Sequence, residues 1–73
     1  MVMDKSFYDA LKKKYEADIA SAKATAWVYF DKPVAIGEHP QFLDELDKLI
    51  DKIATSEEKL EILKRHFDDT IPF

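Results

Sequence analysis

Residues 42–67 read FLDELDKLIDKIATSEEKLEILKRHF, and the spacing of their apolar side chains decides the fold. Leu46, Ile53, Leu60 and Phe67 recur seven apart in one column; Phe42, Leu49, Ser56 and Leu63 form another, flanked by Leu43 and Ile50. Only Ser56 interrupts the apolar pattern. Two columns held in phase over this length are the seam of an amphipathic, coiled-coil-like helix. Pro40 suits the first helical turn, where its missing N–H costs nothing, so the helix is expected from about residue 40 to about residue 67. Thr55 with Glu58 offers a second capping box that would split the segment after Ala54. The phase kept from Ile53 to Leu60 argues for one continuous helix.

Upstream, Ser6 followed by Asp9 forms a weak capping-box-like start. Tyr8, Leu11, Tyr15, Ile19, Ala22, Ala26 and Tyr29 then recur at spacings of three and four, one face of a helix over about residues 6–30. The small residues Ala20, Ala22, Ala24 and Ala26 let a neighbouring helix approach closely. Trp27, Val28, Tyr29 and Phe30 also have strand propensity, and Asp31-Lys32-Pro33 suits a turn, so residues 26–36 admit a rival reading as a short β-hairpin. The tyrosine column, which reaches Tyr29, favours helix.

Between the helices, residues 31–39 form a corner. Pro33 stops the first helix because the residue before a proline avoids helical angles, and Gly37 accepts a positive φ that other residues resist. Val34 and Ile36 are apolar and are expected to fold back beside Trp27. A connection this short makes the helices antiparallel neighbours. The expected architecture is a single all-α domain over residues 1–73: an antiparallel two-helix hairpin with a short tail at 68–73, completed by self-association into a helical bundle. A mirror about residue 35 sets Tyr29 near Phe42, Tyr8 near Leu63 and Ile19 near Ile50. It also sets Lys12, Lys13 and Lys14 near Glu57 and Glu58, Lys23 near Asp47, and Glu16 and Asp18 near Lys52. Exposed pairs of this kind contribute about 0–1 kcal/mol each and speak to register more than to stability.

Composition narrows the function classes. A chain of 73 residues buries only about 60% of the surface its unfolded form exposes. Small scaffolds compensate with disulfides, a metal or oligomerisation, and there is no cysteine for the first or for a thiolate zinc site. Oligomerisation is the route left, as a homodimer or a higher homo-oligomer. The lack of cysteine fits a reducing cytoplasm. The opening MVMDKSF carries Asp4 and no apolar core segment, and the longest apolar run is Ala26–Phe30, so neither a signal peptide nor a membrane span is expected. The net charge is −4, and residues 37–73 hold ten Asp and Glu against five Lys and Arg. Nucleic-acid affinity rests on neutralising phosphate, so an acidic domain is a poor DNA or RNA binder.

The aromatic end of the first helix, then Pro33-Val34-Ala35-Ile36-Gly37-Glu38-His39-Pro40, then an acidic amphipathic helix with Asp47-Lys48 and Glu57-Glu58-Lys59-Leu60, resembles small, uncharacterised proteins of tailed bacteriophages. The likeness covers about residues 22–67. It implies a setting in the cytoplasm of an infected bacterium and a host or phage protein as partner, and it carries no assigned activity.

Motifs for chemistry are weak. His39 stands before Pro40 at the entrance of the second helix, where backbone N–H groups can receive an anion; with Lys12 and Lys13 it outlines a candidate anion contact, the basis of an alternative reading as an oligomeric small-ligand or nucleotide-binding protein. The plainer reading is that His39 packs the corner with Pro33, Gly37 and Pro40. Consecutive lysines point around a helix and form no single stripe. No nucleophile or acid–base pair accompanies either histidine, so no catalytic residue is assigned and an enzyme is not expected. His39 with Asp44, and His66 with Asp69, lack the double-ligand spacing of a zinc helix, and no calcium loop occurs, so no metal or cofactor is expected. Phosphate-cradling loops need several glycines, and Gly37 stands alone.

What remains is an excess of large apolar side chains. Two helices cannot enclose them all, and exposed aromatic surface marks an interface. The face expected to carry self-association or partner binding comprises Tyr8, Leu11, Tyr15, Trp27, Tyr29, Phe30, Phe42, Leu46, Ile53, Leu60, Leu63 and Phe67. The functional expectation is a non-enzymatic protein-binding module.

Overall fold

The computed structural model describes residues 5–31 and 41–68. The corner residues Pro33, Gly37, His39 and Pro40, and the tail beyond Asp68, lie outside the described residues. Two helices of 26 residues each account for nearly all of what is described: α1, Ser6–Asp31, and α2, Phe42–Phe67. At a rise of 1.5 Å per residue each is about 39 Å long. They lie against each other as an antiparallel hairpin, and the described residues include no strand.

Residues 27–30 are helical, so the rival strand reading of that stretch does not hold. No glycine or proline occurs before Pro33, and the packing of Tyr29 against Phe42 outweighs the modest helix penalty of aromatic and β-branched residues. α2 likewise runs through Thr55 without a break.

The helix ends differ from the capping pattern. Asp9 N–H donates to the carbonyl of Lys5 at 2.8 Å, which puts Lys5 rather than Ser6 in the cap position. In α2, Glu45 N–H donates to the carbonyl of Gln41 at 2.9 Å, and the Gln41 side chain makes no capping bond. Charge does part of that work: Asp44 and Glu45 lie in the first turn and Lys64 and Arg65 in the last, each matched in sign to its end of the helix dipole.

Burial traces the seam. On α1 the covered positions include Tyr8, Lys12, Tyr15, Ile19, Ala22, Ala26 and Tyr29; on α2 they include Phe42, Leu46, Leu49, Ile53, Ser56, Leu60 and Leu63. Both runs alternate steps of four and three, the knobs-into-holes spacing. One position departs from the expected face: Lys12 is half-buried in the seam, while Leu11 is 38% exposed on its edge. The four–three alternation leading to Tyr15 passes through residue 12, whatever its polarity, and the lysine stem can lie along apolar surface while its ammonium reaches water.

The helices approach closely where their side chains are small. Ala22, Ala26 and Ser56 are buried, with Leu46 and Leu63 the only large apolar side chains as well covered among the described residues. Ser56, the apparent gap in the heptad columns, is a packing position. The register is set by the rings of Tyr29 and Phe42 at one end and by Lys59 over the Tyr15 ring, 5.9 Å from its centroid, further along. Tyr15 thus meets Lys59, about one turn beyond the position that a mirror about residue 35 gives.

The expected ladder of ion pairs across the hairpin is mostly replaced by pairs within each helix. Lys14 bonds Asp18 at 3.0 Å, Arg65 bonds Glu61 at 2.6 Å and Lys48 lies 3.5 Å from Glu45. Residues three and four apart on one helix are already neighbours, so long side chains reach them without spanning the seam.

Candidate functional site

A seam of this kind gives the hairpin two flanks. In antiparallel helices, the residues one step after the seam positions Tyr29 and Phe42, namely Phe30 and Leu43, fall on the same flank. Lys23 and Ile50 lie one heptad from them on that side, and Trp27 stands one turn from both Lys23 and Phe30. The opposite flank carries Leu11, Asp18, Thr25, Lys52 and Lys59.

The first flank is apolar near the corner. Trp27 is 66% exposed, Phe30 58%, Leu43 74% and Ile50 49%. The rings of Trp27 and Phe30 meet edge to face, with centroids 6.3 Å apart and planes at 69°, the favoured geometry for an aromatic pair. That contact holds the two rings together while leaving their outer faces open. Between the helices the flank sinks into a groove of about 480 Å³ walled by Lys23, Ala26, Trp27 and Phe30 of α1 and by Ile50 and Ile53 of α2. Lys23 is its one charged wall, and the stem of that side chain is itself hydrocarbon. The groove offers shape and apolar contact and no acid–base pair.

Beyond the groove, towards the open end, the same flank turns small and then charged. Ala20 and Ala54 are exposed there, followed by Glu16, Glu57 and Lys13. The patch is therefore bounded: large side chains near the corner, a shallow step of alanines, then solvated charge.

The opposite flank is polar where the first is apolar. Asp18 is half-buried and its carboxyl is held below its ordinary value of 3.8, chiefly by the hydrogen bond from Lys14; burial opposes this in part, and the weaker positive fields of Lys14, Lys52 and Lys59 add to the lowering. Lys52 and Lys59 belong to α2, so this attraction crosses the seam, as expected for Asp18 and Lys52. Nearer the open end a second groove of about 440 Å³ runs past Leu11, Tyr15, Ile62, Leu63 and Phe67, with Thr55, Glu58 and Lys59 on its walls. Its charged walls make it a poorer apolar site than the first.

Of the face expected from the sequence, the structure divides the members. Tyr8, Tyr15, Tyr29, Phe42, Leu46, Ile53, Leu60 and Leu63 lie in the seam and hold the hairpin together. Trp27 and Phe30 stand outside it on one flank, and Leu11 and Phe67 border the groove on the other. Leu43 and Ile50, noted in the sequence only as companions of the columns, complete the exposed patch; their place one step beyond the seam was the available signal. Lys12 and Lys13 do not converge, since the first is half-buried in the seam and the second is exposed; His39 lies outside the described residues. Among the described residues no three His, Cys, Asp or Glu side chains gather as metal ligands, and no helix is long and apolar enough to cross a membrane.

Comparison with protein-family models, with curated proteins and with solved structures finds no match to this chain.

Proposed function

We propose that this protein is a non-enzymatic interaction module: a helical hairpin that self-associates and binds protein through its aromatic flank. One observation carries the reading. Trp27, Phe30, Leu43 and Ile50, all about half-exposed or more, share one side of the hairpin around a nearly wholly apolar groove. Scattered exposed apolar residues need no explanation, but a contiguous patch rimmed by charge marks a binding surface, and Trp is among the residues that most often dominate such surfaces. The thin interior supports the same reading, because so little is fully buried among the described residues that further apolar cover would add stability.

The resemblance of the Pro33–Pro40 sequence to tailed-bacteriophage proteins supports a setting in the cytoplasm of an infected bacterium, with a host or phage protein as the heterologous partner. The alternative, an anion-binding oligomer, would draw on Lys12, Lys13 and His39, and the separation of the two lysines gives it no support. The test is retention. Immobilised wild-type protein should hold a defined protein from phage-infected bacterial extract, and Trp27→Glu, at an exposed position that leaves the seam intact, should release it. Equal retention by both, with unchanged helix content, would remove the flank from the interaction.

A further inference from the structure

We infer that the aromatic flank pairs with the same flank of a second copy, the two hairpins running antiparallel about a two-fold axis that passes beside Ile50. This deepens the interaction reading and rests on it, and it commits the flank to one occupant.

The argument is one of self-complementarity. A face-to-face pair with its two-fold axis in the interface and across the helices sets α1 against α1 and α2 against α2, each reversed. The large and small exposed residues of α1 lie symmetrically about one level. Trp27 and Lys23 are equidistant from residue 25, and so are Phe30 and Ala20. With the axis at that level, Phe30 of each copy rests on the alanine step at Ala20 of the other. Trp27 meets Lys23 of the other, whose ammonium can lie over the indole face.

Ile50 shares a groove with Lys23, Ala26 and Trp27 and lies level with Lys23, as Leu43 does with Phe30, so it stands about 3 Å from the axis and within reach of its own counterpart. On α2, exposed Leu43 falls towards Ala54 of the other copy, again large against the shallow part of the flank. Large-over-small interdigitation of this kind is what a well-packed interface requires.

The competing symmetric arrangement fails on the same grounds. With the axis along the helices, α1 would face α2 of the second copy at equal level. Trp27 and Phe30 would collide with Leu43 and Ile50 at one end, the two alanines would leave a gap in the middle, and Glu16 would face Glu57. Like charges set opposite each other oppose that pairing.

Size points the same way. Two aromatic side chains bury roughly 150–250 Å² each when fully covered, whereas a specific interface needs about 800 Å² from each partner. The exposed rings alone fall short, so the contact must extend along the flank over the alanines, which the antiparallel overlap achieves. The resulting four helices are each antiparallel to their neighbours, as in an up-down-up-down bundle.

The absence of cysteine makes the test direct, because any disulfide comes from an introduced residue. Ile50→Cys should form a disulfide-linked dimer under mild oxidation, and a mixture of Phe30→Cys and Ala20→Cys chains should link with each other. Thr25→Cys, at the same level on the opposite flank, should not link. Sedimentation of the unmodified protein should show a dimer, weakened roughly 30-fold or more by Trp27→Ala with helix content unchanged.

A wild-type protein that stays monomeric at every concentration overturns the self-pairing, and retention of another protein by the Trp27 flank would then survive as a separate result. A dimer in which Ala20→Cys links to Ala54→Cys while Ile50→Cys does not would overturn the antiparallel register, since it requires the parallel arrangement. If Ile50→Cys lowers helix content, the Phe30 and Ala20 mixture decides alone.

Discussion

The rings of Tyr29 and Phe42 stand 5.4 Å apart with their planes tilted by 48°, and this contact closes the end of the hairpin beside the exposed aromatic flank. Aligning Tyr29 with Phe42 brings Phe30 alongside Leu43. The seam and the flank are thus set by a single register.

Truncating either ring should therefore loosen both. Tyr29→Ala should cost roughly 2 kcal/mol, less than a fully buried aromatic because Tyr29 is only half-covered. Phe42→Ala should behave alike. Urea unfolding followed by circular dichroism, at fixed protein concentration, would measure each. The double variant should lose less than the two losses combined, by about 0.5–1.5 kcal/mol of shared ring–ring contact. Strict additivity would mean that the rings are neighbours without coupling.

Asp18 should make the fold sensitive to acid. Its carboxyl titrates below its ordinary value because the hydrogen bond from Lys14, and then the charges of Lys14, Lys52 and Lys59, favour the ionised form. A group whose pKa is depressed on folding contributes stability above its unfolded value, and that contribution is lost as pH falls through the lower folded value. Asp18→Asn should flatten the fall of melting temperature between about pH 5 and pH 2 and leave little change in slope near neutrality. High salt should mimic part of the substitution, since these charges are largely solvated. An unchanged acid slope would show that Asp18 gains nothing from the lysines.

Small residues in the seam predict a third outcome. Ala22 is 2% exposed, and its methyl group sets how closely the helices approach. Ala22→Leu should force them apart and cost about 1–3 kcal/mol. Ala24→Leu, at an exposed position two residues on, should stay within about 0.5 kcal/mol of the parent. Thermal melts of the two variants separate a packing requirement from a general tolerance of larger side chains.

How much of this was legible in the sequence depended on which helix was being read. α2 announces its seam, because Leu46, Leu49, Ile53, Leu60 and Leu63 are strong apolar markers and Ser56 keeps their phase. α1 is written largely in alanine, tyrosine and lysine, and there polarity misleads: Leu11 attracts the assignment although the four–three spacing belongs to Lys12. The cross-helix charge pattern was mostly not legible, since lysines can satisfy themselves within a turn of their own helix. The surplus of apolar side chains could be read from the sequence, but its location could not. Whether Trp27 and Phe30 share a flank with Leu43 and Ile50 depends on register, and register is decided by contacts such as Tyr29 with Phe42.

The exchange at residues 11 and 12 gives a final test of that register. Lys12 occupies a seam position that an apolar residue would fill better, so Lys12→Leu should stabilise the hairpin by about 1 kcal/mol. For a domain of this size that is a rise of roughly 4–8 °C in melting temperature. Leu11→Lys moves a half-open leucine out of the groove edge and should cost no more than about 0.5–1 kcal/mol. The double exchange, with composition unchanged, should end more stable than the parent, because the leucine passes from the edge of the seam into it. A fall in stability on Lys12→Leu would return Leu11 to the seam and shift α1 by about 100° about its axis, carrying Trp27 and Phe30 away from Leu43 and Ile50. Circular dichroism melts of the three variants at one protein concentration therefore test the flank without touching it.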